Sequence, residues 1–157
     1  MTMITPAGVD NEELYRLHAT ELTRYATGLV GPFDAAGVVT EAYLRAAKSG
    51  SWHQVVNRRA YLYKTVLSVA DDRQRRTRAR RLGKVKSAVP KSVPASNVDV
   101  DVLKAVNRLS VQQRAAVFLT YWEDLTPEAV AGRMGISVGS VKRHLTQARK
   151  SLDGMLS

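Results

Sequence analysis

The sequence lacks cysteine altogether, which excludes disulfide bonds and metal sites built from thiolates. Aromatic residues are scarce, at 6% of 157 residues. No apolar run approaches the roughly 20 residues that a membrane-spanning helix needs. The start of the chain shows no charged-then-apolar segment like a signal peptide, and we set aside residues 1–6 because they look like a cloning-vector leader. We therefore expect a cytoplasmic protein with no membrane partner.

Patterns typical of catalysis and metal binding are also missing. The three histidines, His18, His53 and His144, lie far apart in the sequence and have no metal-ligand spacing around them. We find no glycine-rich phosphate loop, no nucleophile elbow and no paired-carboxylate signature. The sequence therefore predicts a protein that is not an enzyme and that has no cofactor and no metal.

Strand patterns and internal repeats are absent, whereas helical periodicity is frequent. Helices are expected over 11–30, 34–47 and 58–82, with Gly31 and Pro32 breaking the first from the second. Phe33 is placed to staple onto Val38 of the second helix, which Asp34 would cap. Prolines, small residues and the absence of acids mark an extended linker after the third helix. We predict an all-α chain of two small helical domains, with an N-terminal domain at 9–82, a linker at 83–98 and a C-terminal domain at 99–157.

Positive charge is concentrated in two stretches. The formal net charge is +10, of which residues 58–86 contribute +9 and residues 137–157 contribute +3. In the first stretch six arginines follow the apolar half of a helix, and only Asp71 and Asp72 offset them. Such a cationic tract would repel itself in solution, so it favours contact with a phosphate backbone over a merely solvated surface.

Residues 125–152 predict two short helices joined by a tight turn. Thr126 is a suitable N-cap for the first helix, and Ser137 is a suitable N-cap for the second. Gly135 suits the left-handed conformation in which the first helix would end. One side of the second helix is apolar and the other carries short polar residues followed by long cations. This pattern suits a helix that enters the major groove with its N-terminus, and the alternative is a structural hairpin with a solvated outer face.

Two further segments complete the sequence pattern. Ser110 and Gln113 form a capping box that opens a helix. The inner face of that helix is predicted to hold Ala115, Phe118, Leu119 and Trp122.

The loop 49–57 carries aromatic and amide side chains that, if exposed, can stack on an unstacked base. The alternative for its Trp52 is that the indole caps the helical core, which is the commoner position of tryptophan.

The residues LSVQQRAAVFLTYWEDLTPEAVAGRMGISVGSVKRHLTQARKSL, at 109–152, resemble the C-terminal domain of bacterial sigma factors of the small extracytoplasmic-function (ECF) type, which reads the −35 promoter element. The residues DAAGVVTEAYLRA, at 34–46, and RRAYLYKTVLSVADDRQRR, at 58–76, resemble the domain that grips core RNA polymerase and opens the −10 element. The resemblance covers nearly the whole chain from about Val9. It implies a sigma factor that directs core RNA polymerase to promoters and helps to melt them.

The resemblance also implies three sets of site residues. Those expected at the −35 element are Ser137, Ser140, Lys142, Arg143, His144, Thr146 and Gln147. Those expected in −10 recognition and melting, with loop 49–57 taking a flipped base, are Trp52, His53, Asn57, Arg58, Arg59, Tyr61, Arg73, Arg75 and Arg76. Those expected to bind the polymerase are Asp34, Val38, Glu41 and Arg45.

The implied partners are promoter DNA and core RNA polymerase, through the clamp of its largest subunit and the flap of its second-largest subunit. An anti-sigma factor is a further partner that this family often has. The linker 83–98 would run toward the active-site cleft and the RNA exit channel, and no regulatory domain is expected after Leu152. Two other hypotheses are a stand-alone helix-turn-helix regulator that never contacts polymerase, and a basic protein bound to structured RNA or an anionic membrane.

Overall fold

The computed structural model describes residues 7–83, 105 and 108–156, and each element in these residues is helical, as predicted. The elements in chain order are α1 (Ala7–Val30), α2 (Pro32–Lys48), a 3₁₀ turn (Trp52–Gln54), α3 (Arg58–Gly83), α4 (Val111–Val117), a π-helix (Phe118–Trp122), α5 (Pro127–Met134) and α6 (Val138–Leu156). We call α1–α3 the N-terminal unit and α4–α6, with the π-helix, the C-terminal unit. Residues 84–98 of the expected linker lie outside the described residues, so the domain boundaries stay a prediction.

The junction between α1 and α2 depends on Gly31 and Pro32, as expected. Gly31 has φ = 91°, a backbone conformation that side chains disfavour, and Pro32 occupies the first helical position of α2. Because α2 begins at Pro32, Asp34 lies inside the first turn instead of capping it. The expected staple is wrong, since Phe33 is 81% exposed while Val38 is fully buried.

Helix α3 packs with its first half and projects with its second, which confirms the sequence pattern. Its packed half contributes Leu62, Tyr63, Val66, Leu67, Val69 and Ala70 to the hydrophobic core. Every residue from Arg75 to Leu82 is exposed. The cationic tract is therefore presented on a helix that the core holds at one end.

Helix α4 begins with the predicted capping box and continues directly into a π-helix. Ser110 Oγ accepts from the Gln113 amide at 3.1 Å, and Gln113 Oε1 accepts from the Ser110 amide at 3.2 Å. The π-helix closes with the Glu123 amide donating to the Phe118 carbonyl at 3.0 Å. This wider turn shifts the helical register, and Trp122 is consequently 73% exposed, so its predicted place on the inner face is wrong.

The helix-turn-helix forms with the predicted caps. Thr126 Oγ1 accepts from the Ala129 amide at 3.1 Å, and Ser137 Oγ accepts from the Ser140 amide at 3.1 Å. Gly135 ends α5 in the left-handed conformation, with φ = 74°. The exit angle of α5, and with it the direction of α6, is thus fixed by three residues read directly from the sequence.

One hydrophobic core runs through both units. Its buried members include Tyr25 and Val66 from the N-terminal unit, and Ala115 and Val130 from the C-terminal unit. The Tyr25 ring lies between those of Tyr63 and Phe118, with centroid separations of 4.8 Å and 5.9 Å. The N-terminal and C-terminal units therefore pack against each other through aromatic side chains.

The two buried tyrosines of this core should respond oppositely to loss of their hydroxyl groups. The Tyr25 hydroxyl is buried with no hydrogen-bond partner among the described residues, whereas the Tyr63 hydroxyl donates to Glu21 Oε1 at 3.2 Å. We expect Tyr25→Phe to raise the free energy of unfolding by about 1 kcal/mol, and Tyr63→Phe to lower it by about 1 kcal/mol. Urea denaturation followed by circular dichroism measures both. Destabilisation by Tyr25→Phe would show that its hydroxyl has a partner.

Candidate nucleic-acid interface

The outer face of α6 presents a small polar network at its N-terminus. The Ser137 hydroxyl donates to Ser140 Oγ at 3.1 Å, and Arg143 Nη2 donates to the same oxygen at 3.1 Å. Lys142, Arg143 and Thr146 are exposed on this face. Ser140 orients the guanidinium, and the described residues accept from none of its other N–H groups, so Arg143 is positioned to donate to an acceptor outside the protein.

Gln147 and His144, which also belong to the expected −35 set, both interact with the rest of the protein. Gln147 does so through a hydrogen bond and His144 through partial burial. Gln147 Oε1 accepts from Gln113 Nε2 at 3.3 Å. His144 is half-buried, and its Nδ1 has no partner among the described residues. Burial, helped by the neighbouring charge of Arg143, lowers the pKa of His144 below its ordinary value of 6.5. A neutral imidazole is the result, so His144 contributes no cation to this surface at neutral pH.

The indole of Trp52, in loop 49–57, is buried. Trp52 is only 1% exposed; its ring lies edge-on to Tyr61 at 5.5 Å, and the Arg58 guanidinium lies 4.8 Å from its centroid. The expectation that Trp52 is an exposed stacking platform is therefore wrong, and the alternative, an indole that caps the helical core, matches the structure. The side chain of His53 lies outside the described residues.

Next to the buried indole, the loop and α1 enclose an open cleft of about 650 Å³. Its apolar walls are Leu17, Val55 and Val56, and Leu17 and Val56 are strongly exposed. Its polar lining residues are Glu13, Asn57, Arg58 and Arg59. Asn57 also starts α3, since its Oδ1 accepts from the Ala60 amide at 3.0 Å. Sequence reasoning missed the apolar walls because Leu17 fits the helical stripe of α1.

One arginine of this cleft is held by a carboxylate on α1. Arg59 donates to Glu21 through Nε at 3.0 Å and through Nη2 at 2.7 Å. Glu21 also contacts His18 Nδ1 at 2.8 Å and accepts from Tyr63. Burial alone would raise the pKa of Glu21, but hydrogen bonds from Arg59, His18 and Tyr63 outweigh it and lower the pKa below 4.5.

A second ion-pair network joins α2 to α3. Arg73 donates to Glu41 at 2.8 Å, and Glu41 also accepts from Arg45 at 3.0 Å. The hydrogen bond from Arg73, more than any other contact, lowers the pKa of Glu41. Arg45 reaches Asp72 at 3.1 Å, and Arg75 reaches Asp71 at 2.6 Å. Residues expected at two different interfaces therefore bind one another in the structure.

Four arginines that form no ion pair with the described residues lie further along α3. Arg76, Arg78, Arg80 and Arg81 are all exposed there. Arg78 and Arg81 also line a cavity of about 400 Å³ between the two units, together with Arg73 and Arg114. The free positive charge of α3 is thus displaced from its middle toward its C-terminal end.

The residues expected to bind the polymerase are mostly turned inward. Val38 is fully buried, so the prediction that its side chain contacts the polymerase directly is wrong. Glu41 and Arg45 are held in the ion pairs described above. Asp34 is exposed. The exposed face of α2 carries Phe33, Thr40 and Leu44 instead, at helical spacing. Sequence reasoning missed this face because Phe33 was expected to pack onto Val38.

The described residues contain neither a candidate membrane span nor a candidate metal site. No described helix combines the length and apolar character that crossing a membrane requires. Within the same residues, histidine and carboxylate side chains form no group of three that could hold a metal ion.

Comparisons with known proteins converge on one family. The family model for Sigma-70, region 4, matches residues 99–152. The RNA polymerase sigma-E factor of Streptomyces avermitilis is 31% identical over 153 residues, which cover 87% of this chain and 79% of that protein. The ECF RNA polymerase sigma factor SigL of Mycobacterium tuberculosis is 30% identical over 149 residues, which cover 88% and 84%.

Solved structures give the same result. The sigma factor RpoE, solved in complex with the anti-sigma factor NepR from Bartonella quintana, is similar with a TM-score of 0.62 and 25% identity over 94% of this chain and 96% of that one. CnrH, solved with the cytosolic domain of CnrY, shares the fold with a TM-score of 0.55 and 19% identity.

The carboxylate of Glu21 should make the stability of the protein depend on acid pH. Because the folded-state pKa lies below 4.5, Glu21 stabilises the fold above about pH 4.5, and this stabilisation is lost as the pH falls through the folded-state value. We expect Glu21→Gln to lower the free energy of unfolding by about 2 kcal/mol at pH 7, and to flatten its dependence on pH below 4.5.

Denaturation titrations between pH 3 and pH 7 measure this effect, and Glu13→Gln is the matched control because Glu13 is exposed on the same helix. Parallel curves for the wild type and Glu21→Gln would contradict the assignment.

Proposed function

The chain belongs to the extracytoplasmic-function family of RNA polymerase sigma factors, and on this premise we propose that it directs core RNA polymerase to specific promoters and assists their melting. The observation that supports this most directly is that one short chain carries two separate cationic surfaces. One is the outer face of α6, and the other is the exposed C-terminal half of α3, whose opposite end borders the cleft of loop 49–57. We further propose that it works in the cytoplasm and is not an enzyme.

We propose that α6 reads the −35 element from the major groove. A helix that enters the groove by its N-terminus places its first turns nearest the base edges. Arg143, oriented by Ser140, suits the N7 and O6 acceptors of a guanine, and Lys142 and Thr146 flank it on the exposed face. Gln147 lies one turn further, where the amide can reach an adenine once it leaves Gln113.

We propose that the cleft beside loop 49–57 takes a base that leaves the duplex during melting. Unstacking a base costs a few kcal/mol, so a receiving pocket must offer apolar contact and hydrogen bonds. Leu17 and Val56 supply exposed apolar walls, and Asn57 and Arg59 supply amide and guanidinium groups. Trp52 does not stack on the base, because its ring is buried; it supports the loop from within the core.

We propose that the polymerase binds the exposed face of α2. Phe33 is 81% exposed and Leu44 is 55% exposed, and large apolar side chains in such positions are typical of protein interfaces. Glu41, Arg45 and Arg73 act indirectly, because their ion pairs fix α2 against α3. The clamp of the largest polymerase subunit is the expected partner for α2, and the flap of the second-largest subunit is the expected partner for the C-terminal unit.

We also propose an anti-sigma factor as a regulatory partner. The RpoE structure was solved in complex with the anti-sigma factor NepR, and the CnrH structure was solved with the cytosolic domain of CnrY.

Reconstitution with bacterial core RNA polymerase tests the proposed function. We expect the chain to bind the polymerase and to start transcription from a genomic library at discrete sites that share two upstream elements. Leu44→Ala should weaken polymerase binding about tenfold, because a buried apolar contact at an interface is lost.

The matched control is Leu82→Ala, since Leu82 is 82% exposed at the end of α3, outside the proposed interface. Stable binding to duplex DNA without any polymerase association would refute the sigma-factor function and support a stand-alone regulator.

A promoter found in that experiment allows the role of Arg143 to be tested. We expect Arg143→Ala to weaken binding of the polymerase complex to this promoter by about 1–3 kcal/mol, and to weaken binding to random duplexes much less, because a base contact is lost. Filter binding or fluorescence anisotropy at fixed salt measures both affinities. Arg80→Ala removes the same charge from an exposed position of α3 and should affect the two duplexes equally. Equal losses for Arg143→Ala on both duplexes would assign it to the phosphate backbone.

A further inference from the structure

We propose that the cavity bounded by α1, α2, α3 and α4 binds a small ligand with a pyrophosphate group, either inorganic pyrophosphate or a nucleoside diphosphate. This binding site lies beyond the proposed function and does not rest on it. Three features of the cavity support the inference: an anchored arginine whose charge no described carboxylate balances, a row of donors on α3, and an apolar wall.

The anchored arginine is Arg114 of α4, which lines the cavity. Its Nη1 donates to the Leu29 carbonyl at 2.6 Å, and its Nε donates to the Leu109 carbonyl at 3.3 Å. Leu29 lies in the last turn of α1 and Leu109 lies just before α4, so backbone from two separate segments fixes the guanidinium. Its other three N–H groups have no acceptor among the described residues, and they remain for a ligand.

The charge of Arg114 has no counter-ion in the described part of the chain. Both groups that accept its hydrogen bonds are neutral carbonyls. Burial lowers the pKa of this guanidinium below its ordinary range, and no neighbouring carboxylate opposes the shift. Because a cation withdrawn from water is costly without an opposite charge, an anion that pairs with Arg114 gains both Coulomb attraction and charge-assisted hydrogen bonds.

Four residues of α3 line the same cavity at helical spacing. Gln74, Thr77, Arg78 and Arg81 lie at offsets of zero, three, four and seven positions, so they share one face of the helix. Their side chains are an amide, a hydroxyl and two guanidinium groups, all of which can donate to phosphate oxygens. Two like charges three positions apart repel each other on a helix, and an anion between them removes that repulsion.

The remaining charges at the cavity leave an excess of positive charge. Arg73 also lines it, but its Nη2 already donates to Glu41 at 2.8 Å. Asp34, exposed in the first turn of α2, is the one acid among the described lining residues. Three arginines, at positions 78, 81 and 114, therefore face one carboxylate. Coulomb attraction to three cations grows with the charge of the ligand, so pyrophosphate is favoured over a single phosphate.

The size and the apolar wall of the cavity suit a small organic ligand. Its volume of about 400 Å³ falls within the range of roughly 300–1,000 Å³ that is typical of ligand sites. Leu29, Val30 and Val111 form its apolar part. The Asp34 carboxylate can accept from hydroxyl groups of a sugar. A nucleoside diphosphate would use these groups in addition to the arginines, whereas inorganic pyrophosphate would use the arginines alone.

The alternative is that the arginines of α3 attract any polyanion without forming a site. The sequence offers a matched control, because Arg80 is also exposed on α3 but does not line the cavity. It precedes Arg81 by one position and so points about 100° away from it. A diffuse cationic surface would depend equally on Arg80 and Arg81, whereas a site in the cavity depends on Arg81.

Titration calorimetry of the full chain with inorganic pyrophosphate, at fixed ionic strength and without divalent metal ions, tests the site. We expect one pyrophosphate per chain and about tenfold weaker binding of orthophosphate. Arg81→Gln and Arg78→Gln should each weaken pyrophosphate binding about tenfold, because each removes charged hydrogen bonds. Arg80→Gln should leave the affinity unchanged. Both α3 positions are exposed, so these variants keep the fold, and circular dichroism verifies it.

ADP and AMP distinguish the two sources of the pyrophosphate group. Tighter binding of ADP than of pyrophosphate would assign the apolar wall to a nucleoside, and equal binding would show that the inorganic anion suffices; AMP should bind at least tenfold more weakly than ADP. Absence of binding by both pyrophosphate and ADP would overturn the proposal. Equal weakening by Arg80→Gln and Arg81→Gln, or several pyrophosphates per chain, would overturn it in favour of a diffuse cationic surface.

Discussion

The contact of Phe118 with Gly28 and Tyr25 is the interaction on which the arrangement of this protein depends. It joins the two helical units into one core, although the sequence between them carries prolines and charged residues instead of packing residues. A Cβ atom at position 28 would lie 2.7 Å from Phe118 Cδ1, so this contact requires glycine there.

A second constraint is the placement of acids against arginines. Glu21 and Glu41 each accept hydrogen bonds from cations on α3, and their lowered pKa values follow from those bonds. These carboxylates fix the orientation of α1 and α2 relative to α3, and they leave the exposed positive charge at the end of α3 and on α6. Nucleic acid bound at Arg59, as proposed above, would compete with this internal ion pair.

Local features of the fold were predictable from the sequence because short-range chemistry determines them. The caps at Ser110, Thr126 and Ser137 and the left-handed Gly135 each depend on residues within one turn, and all were found as expected. The division of α3 into a packed and a projecting half followed from the change in composition at Asp71. The family resemblance was equally readable, because its motifs are long and in order.

Features set by distant contacts were not predictable. Trp52 was expected to be exposed, but it is buried under Tyr61 and Arg58. Trp122 was expected on an inner face, but the π-helix turns it outward. Phe33 is exposed instead of packing onto Val38, and the N-cap of α2 is Gly31, three residues before the expected cap Asp34. The pairing of Arg59 with Glu21 joins residues 38 positions apart, which no local pattern encodes.

The most direct test is reconstitution of this chain with bacterial core RNA polymerase and promoter-containing DNA. We expect the complex to form and to start transcription at discrete sites that share two upstream elements. Stable binding of the chain to duplex DNA, with neither polymerase association nor initiation, would contradict the sigma-factor function.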